Sequence, residues 1–271
     1  MSNLKGRTFG AIALVLGLVA LMLILVLTVL HAVGTDDALY FSEQMQAGVL
    51  PGAGISEADL RMLDGELAGY LAGRPEALVL PLESEPGGYS VPAVQMNGAL
   101  QPAFNEREMI HLEDCRGLFA LLRRVRARLL PWAVLLIAGG AYLLKERRKL
   151  RRAAWLSPLW ILLPLGAFAA WAAVDFNAAF NAFHRVLFTN DLWLLDPATD
   201  LLIRICPASM FAHMGLRIAW ISLAAMIAVP AIVTALSFIL PKGKGENTWN
   251  DRDTRRASGK KRMRCASGEK R

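Results

Sequence analysis

The stretch from Gly10 to Val33 contains no charged side chain. A helix of roughly 20 apolar residues crosses a ~30 Å hydrocarbon layer, and only a helix or a closed barrel satisfies its own backbone there. The apolar core of a secretory signal is only ~7–15 residues long, so this run reads as a retained anchor, transmembrane helix 1 over residues 8–33. No cysteine follows it closely, and the chain carries no lipobox of its own.

Three more apolar runs follow, at Leu129–Leu144 (extendable toward Leu118), Trp155–Val174 and Gly215–Leu240. The expected organisation is helix 1 (8–33), a cap (34–117), helix 2 (118–145), a basic loop (146–154), helix 3 (155–174), a second cap segment (175–214), helix 4 (215–240) and a basic disordered tail (241–271). With four spans, both termini lie on one side. That side then holds 19 of the 30 basic residues and 5 of the 23 acidic ones, which makes it cytoplasmic. The net charge of +7 is therefore mainly a topology signal, and no nucleic-acid partner is expected. The tail from Lys242 reads as a retention charge or a contact with anionic membrane lipid. Cys115 and Cys206 fall outside and Cys265 inside; an outer disulfide is open, and no CxxC metal spacing occurs.

The fold class is mainly α, four transmembrane helices with a small mixed α/β extracytoplasmic cap. In the cap, Ile55–Gly73 predicts an amphipathic helix capped by Ser56, with Leu60, Leu63, Leu67 and Leu71 on one face. Apolar stretches at Leu78–Leu82 and Tyr89–Met96 flank Glu85-Pro86-Gly87-Gly88, and Asn97-Gly98 favours a type I′ hairpin turn. Phe104–Arg116 predicts a helix entering span two, with Glu108, His111 and Cys115 on one face. Glu108 three residues before His111, or Asp114 three after, is spaced to hold its tautomer. Arg123, Arg124, Arg126 and Arg128 ring the next turns, either snorkelling to headgroups or docking an anionic substrate.

After span three, Asp175–Phe188 predicts a surface helix with Phe176, Phe180, Phe183 and Leu187 on its apolar face and His184 toward Asn177 and Asn181. The stretch Phe183–Pro197 then sets imidazole, guanidinium, amide and carboxylates among large apolar side chains, a costly mixture unless the groups are paired or used. Asp196-Pro197 predicts the cap and first residue of a short helix ending near Cys206-Pro207. All four histidines, His31, His111, His184 and His213, map to one membrane face. Glycine-rich phosphate loops, G-x-S-x-G and H-E-x-x-H are absent. Zinc held by two histidines and a carboxylate stays open, as does thiol chemistry at Cys115, which otherwise reads as a small buried residue.

Glu106-Arg107-Glu108-x-x-His111-Leu112-x-Asp114, then Phe183-His184-x-x-Leu187-Phe188-x-Asn190-Asp191-x-Trp193-x-Leu195-Asp196-Pro197 and Leu202-Ile203-x-x-x-Pro207, resemble the bacterial lipoprotein intramolecular transacylases. The likeness covers roughly residues 5–240. Cys115 and Ala208 depart from it. The resemblance implies a cytoplasmic-membrane enzyme with its site on the outer face. Such an enzyme moves the sn-2 acyl chain of a diacylated lipoprotein to the α-amine of its N-terminal cysteine. It points to His111 and His184 as catalytic. Around them, Glu108, Asp114, Arg185, Asn190 and Asp191 are expected to orient groups or stabilise the oxyanion, and Arg107, Arg123 and Arg124 to touch the headgroup. No metal, cofactor or external acyl donor is required. The competing readings are a membrane scaffold or lipid-binding protein and a zinc-assisted lipid hydrolase.

Overall fold

The computed structural model describes residues 2–74, 80–81, 89–90, 93–96, 99–144 and 146–239. Four helices are long and apolar enough to cross a membrane, Thr8–Val33, Glu106–Leu144, Arg147–Val174 and Ala208–Ile239. The chain is a multi-pass membrane protein. In order, its elements are α1 (Ser2–Val33), α2 (Asp37–Ala47), α3 (Leu50–Ala53), α4 (Glu57–Ala72), β1 (Leu80–Pro81), β2 (Tyr89–Ser90), β3 (Ala93–Met96), β4 (Ala99–Pro102), α5 (Glu106–Leu144), α6 (Arg147–Leu156), α7 (Leu159–Val174), α8 (Phe176–Leu187), α9 (Leu201–Ile205) and α10 (Ala208–Ile239).

Three expected boundaries move. The border at 117/118 falls inside α5, a continuous helix of 39 residues that carries the His111 motif into the span. The expected basic loop is helical as α6, because Arg, Lys, Leu and Ala favour helix and nothing in Arg147–Leu156 breaks it. Pro158, with no N–H to donate, stands between α6 and α7. The fourth long helix starts at Ala208, so His213 lies within it rather than before it.

Contacts divide the chain into two compact units. The first comprises the described residues 2–19, 132–144, 146–158 and 227–239. Its core gathers Leu14, Leu18, Leu144, Ala153 and Ala154. Glycine sets the approach of α1 to α5 here: a Cβ on Gly140 would stand 2.5 Å from the Leu14 nitrogen, and one on Gly17 would stand 2.8 Å from that of Ile137. Small residues let membrane helices pack backbone to backbone in this way.

The second unit comprises residues 20–131 and 159–226. Its core is built from the leucines of α4, from Val94 and Met96 of β3, and from Phe104, Met109, Leu112, Leu201, Ile205 and Met210. In α4, Ser56 Oγ accepts from the Asp59 N–H, and Leu60, Leu63, Leu67 and Leu71 are buried, as the sequence predicts. The helix stops at Gly73, whose φ of 91° suits glycine and whose turn returns N–H groups to Gly69 and Tyr70. Strands β3 and β4 pair antiparallel with Met96 opposite Ala99, and β1 pairs with β2. The predicted turn at Asn97-Gly98, the Glu85–Gly88 segment and the basic tail with Cys265 lie outside the described residues. Helices α2 and α3, which no sequence pattern announced, precede α4.

Candidate active site

Helix α5 begins with a reciprocal capping box. The Asn105 N–H donates to Glu108 Oε2 at 2.8 Å, and the Glu108 N–H donates to Asn105 Oδ1 at 3.0 Å. Glu108 Oε1 accepts from the Leu202 N–H at 2.6 Å, which ties α9 to the start of α5. Both carboxylate oxygens are thus taken by main-chain donors, and Glu108 holds the scaffold rather than the His111 tautomer. The Asn-x-x-Glu spacing at 105–108 is legible in the sequence as this box.

Helix α8 is capped by Asp175, whose side chain accepts from the Ala178 N–H. Past its end, Asp196 and Pro197 form a turn, and the cap of α9 is Asp200, four residues later than predicted. The buried Asp200 carboxylate accepts from the Asp196 N–H, the Asn105 amide and the Thr199 hydroxyl. Burial alone would raise its pKa, but these hydrogen bonds outweigh it and hold the group below the usual carboxylate range.

The two motif histidines come together. Their ring centroids are 6.3 Å apart with planes inclined by 37°. His111 is buried, 7% exposed, and its Nε2 lies 3.6 Å from Cys115 Sγ, while Nδ1 has no hydrogen-bond partner among the described residues. His184 Nδ1 lies 2.8 Å from the Phe180 carbonyl oxygen. That acceptor requires an N–H on Nδ1, so the neutral ring keeps its lone pair on Nε2. Desolvation lowers the pKa of His184 from its ordinary value, against a smaller opposing push from the Phe180 hydrogen bond. Instead of the amides expected from the helical wheel, aromatic rings surround it: Phe180 at 4.0 Å, Trp193 at 5.0 Å, and Phe183 and Phe188 at 5.6 Å. Phe188 also packs edge-on against His111 at 5.1 Å. The buried Trp193 indole N–H has no partner among the described residues.

The other polar residues of the motifs lash the 188–196 segment to α5. Asn190 Nδ2 donates to Asp114 Oδ2 at 2.8 Å, and Arg107 Nη2 donates to the Asp191 carbonyl at 2.8 Å. Asp114 therefore anchors Asn190 and does not hydrogen-bond His111. Arg185 is exposed on α8, Arg123 donates to the Leu71 carbonyl, and Arg124 donates to the carbonyl of Ala120 on its own helix.

A recess of about 220 Å³ is lined by Asp114, Gly117, Leu118, Leu187, Phe188, Thr189 and Asn190. Phe188 is a wall shared by this recess and the histidine pair. A larger cavity of about 730 Å³ lies on the Glu108 side of α5, beside Tyr70, Phe104, Met109 and Arg204. Neither imidazole lines either space. Cys115 and Cys206 are free thiols, so the disulfide left open by the sequence is not formed. Among the described residues no group of three or more His, Cys, Asp or Glu side chains is placed to hold a metal ion.

No curated protein matches the chain. Three solved structures do, all of the membrane integral lipoprotein intramolecular transacylase Lit from Bacillus cereus. One covers 87% of this chain and 95% of its own at 20% identity, with a TM-score of 0.57. Two carry a histidine replaced by arginine or by alanine, also at 20% identity, each with a TM-score of 0.55 and covering 87% of this chain and 92% or 93% of their own. Likeness at that identity establishes the fold. The sequence model of the lipoprotein intramolecular transacylase Lit family matches residues 14–211, most of the chain, and on that match this membrane protein belongs to the lipoprotein intramolecular transacylase family.

Proposed function

We propose that this chain moves the sn-2 acyl chain of a diacylglyceryl lipoprotein to the α-amine of the same lipoprotein's N-terminal cysteine. Catalysis would be by histidine acid–base chemistry at the outer face of the cytoplasmic membrane, with both termini inside. The observation that carries the reading is the 6.3 Å approach of His111 and His184, contributed by different helices, with the buried His111 Nδ1 left without a partner among the described residues.

Ester aminolysis begins from a neutral amine, whereas a free α-amino group has a pKa of roughly 7.7–8.0. Once the neutral fraction attacks the ester carbonyl, a C–N bond forms and the attacking nitrogen becomes strongly acidic. A neutral imidazole then suffices to take that proton. His111 fills this role. It delivers the proton to the glyceryl oxygen as the C–O bond breaks, leaving an amide and a lyso-glyceryl group.

His184 receives the amine. With its Nδ1–H committed to Phe180, neutral His184 accepts a hydrogen bond at Nε2 and donates to an oxyanion only after it has taken a proton itself. Arg107, Asp114, Asn190 and Asp191 act by fixing the segment that carries Trp193 beside His184. Exposed Arg124 keeps guanidinium donors for a headgroup phosphate. Holding ester and amine on one molecule supplies much of the remaining rate.

Expression in a host that makes diacylated lipoproteins, followed by mass spectrometry of their N-terminal peptides, tests the reading. Conversion to the lyso form is expected. An unchanged diacyl form beside well-expressed, membrane-inserted protein would overturn it.

A further inference from the structure

A buried imidazole with one free nitrogen can act in two ways, and the neighbour of its other nitrogen decides which. His111 Nε2 stands 3.6 Å from Cys115 Sγ, one turn along α5, while the buried Nδ1 meets no partner among the described residues. If the thiol donated to Nε2, the ring proton would sit on Nδ1 as an orphaned buried N–H. Orphaned buried N–H groups are the rarer and costlier kind of unsatisfied group. If instead Nε2–H donates to sulfur, a weak acceptor suited to this longer distance, Nδ1 keeps a bare lone pair.

We infer that Cys115 is a positioning residue that accepts the Nε2–H of His111 and so makes Nδ1 the nitrogen that receives the substrate proton. This rests on the acyl-transfer reading for its kinetic consequence, though not for the tautomer itself. The arrangement does with a sulfur what hydrolytic sites do with a carboxylate: it selects the ring nitrogen that faces the reaction. The two nearby carboxylates are unavailable for the task, since Glu108 caps α9 and Asp114 holds Asn190. A thiol also brings no formal charge and so, unlike a carboxylate, does not hold the proton on the ring before it passes to the leaving oxygen. His184 is arranged in the opposite sense, with Nδ1–H on the Phe180 carbonyl and the lone pair on Nε2.

The test is the tautomer of His111, read by nitrogen-15 NMR of histidine-labelled full-length protein in lipid nanodiscs, with His111→Gln to assign the signal. The wild-type ring is expected neutral and protonated at Nε2. Cys115→Val, close in shape but without an acceptor, should shift the population toward Nδ1–H. It should also lower kcat by about two- to tenfold, the worth of one weak hydrogen bond, with KM unchanged. Cys115→Ser, whose oxygen can accept the same N–H, should restore both; if the valine variant does not fold, Cys115→Ala takes its place. An Nδ1–H ring in the wild type, or a tautomer and kcat indifferent to Val and Ser alike, overturns the inference. A wild-type chain that converts no lipoprotein would sink the acyl-transfer reading while the NMR still decided the tautomer.

Discussion

His213 and the His111–His184 pair belong to the same compact unit, yet their surroundings differ in kind. His213 Nδ1 meets Glu43 Oε2 at 2.8 Å, and Arg217 reaches the other oxygen at 3.6 Å, so a buried carboxylate has two cationic or donor partners. Among the described residues, the pair at 6.3 Å has no carboxylate in hydrogen-bond reach, aromatic walls on several sides, and an unpartnered ring nitrogen and indole N–H. Folded proteins satisfy almost all of their buried polar atoms, and those left over call for an explanation. His213 spends one ring nitrogen on a buried carboxylate, whereas buried His111 keeps Nδ1 without a partner among the described residues, the pattern expected of a group held for a substrate.

The contrast breaks most sharply under alanine substitution. His111→Ala and His184→Ala should each reduce conversion of diacyl lipoprotein by about 10²–10⁴-fold, the usual worth of a general acid–base group, with Tm in detergent little changed. Should either variant convert lipoprotein at the wild-type rate, that histidine leaves the mechanism. Next in size, Asn190→Ala removes the bond to Asp114 and frees the segment that carries Trp193. A misplacement of about 1 Å can cost on the order of 10²-fold. A loss of about 10–100-fold in kcat is expected, and an unaffected kcat would mean the segment is held by packing alone.

His213→Ala should do the reverse. It leaves turnover within a few-fold but destabilises the protein by about 2–3 kcal/mol, because a buried carboxylate loses its closest charge-assisted partner. Thermal unfolding reads this directly, and lost activity at unchanged Tm would move His213 into the chemistry. The pH profile sharpens the same divide. Burial holds His184 below its ordinary value of 6.5, so beneath the fall set by the substrate amine at roughly 7.7–8.0 a second acid limb of kcat/KM should lie below pH 6.5, and His184→Gln should remove that second limb.

Much of this was legible in the sequence because it obeys short-range rules. The charge-free run at Gly10–Val33, the leucine face of α4 and its Ser56 cap follow from periodicity and capping, and the structure keeps them. The helical wheel failed at His184, because the wheel orders neighbours along one helix, whereas Trp193 and Phe188 reach the ring from a segment with no periodicity. Spacing alone offered Glu108 and Asp114 to His111. Asp114 is claimed instead by Asn190, remote in sequence, and Glu108 by Leu202 as well as by its capping partner Asn105; only the Asn105 bond has a local pattern to announce it. The start of α9 shifted from Asp196 to Asp200 for a similar reason, since Asp200 gains donors from Asn105 and Thr199 as well as the Asp196 main chain.

The smallest effect concerns a third kind of buried group, neither fully satisfied nor part of the histidine pair. Asp64 Oδ1 accepts from Gln44 Nε2 at 2.9 Å, while Oδ2 is buried without a partner among the described residues. Burial pushes this carboxyl up to about 7 from 3.8, opposed by the Gln44 hydrogen bond. Between those two values the folded protein keeps a proton that the unfolded chain has released, so stability falls as pH rises from 3.8 to about 7 and levels off above it. Asp64→Asn carries no titration and should remove that slope. At pH 8 the variant should be more stable than the wild type by about 1–2 kcal/mol, with no gain at pH 4, as read by thermal unfolding at both values. Parallel Tm profiles for the two proteins would show that Asp64 stays charged in the fold through a partner on Oδ2, and would place it with Glu43 among the satisfied carboxylates. Activity at pH 7 should not change, because Asp64 touches neither imidazole; a fall in kcat there would extend the region of reserved polarity beyond His111 and His184.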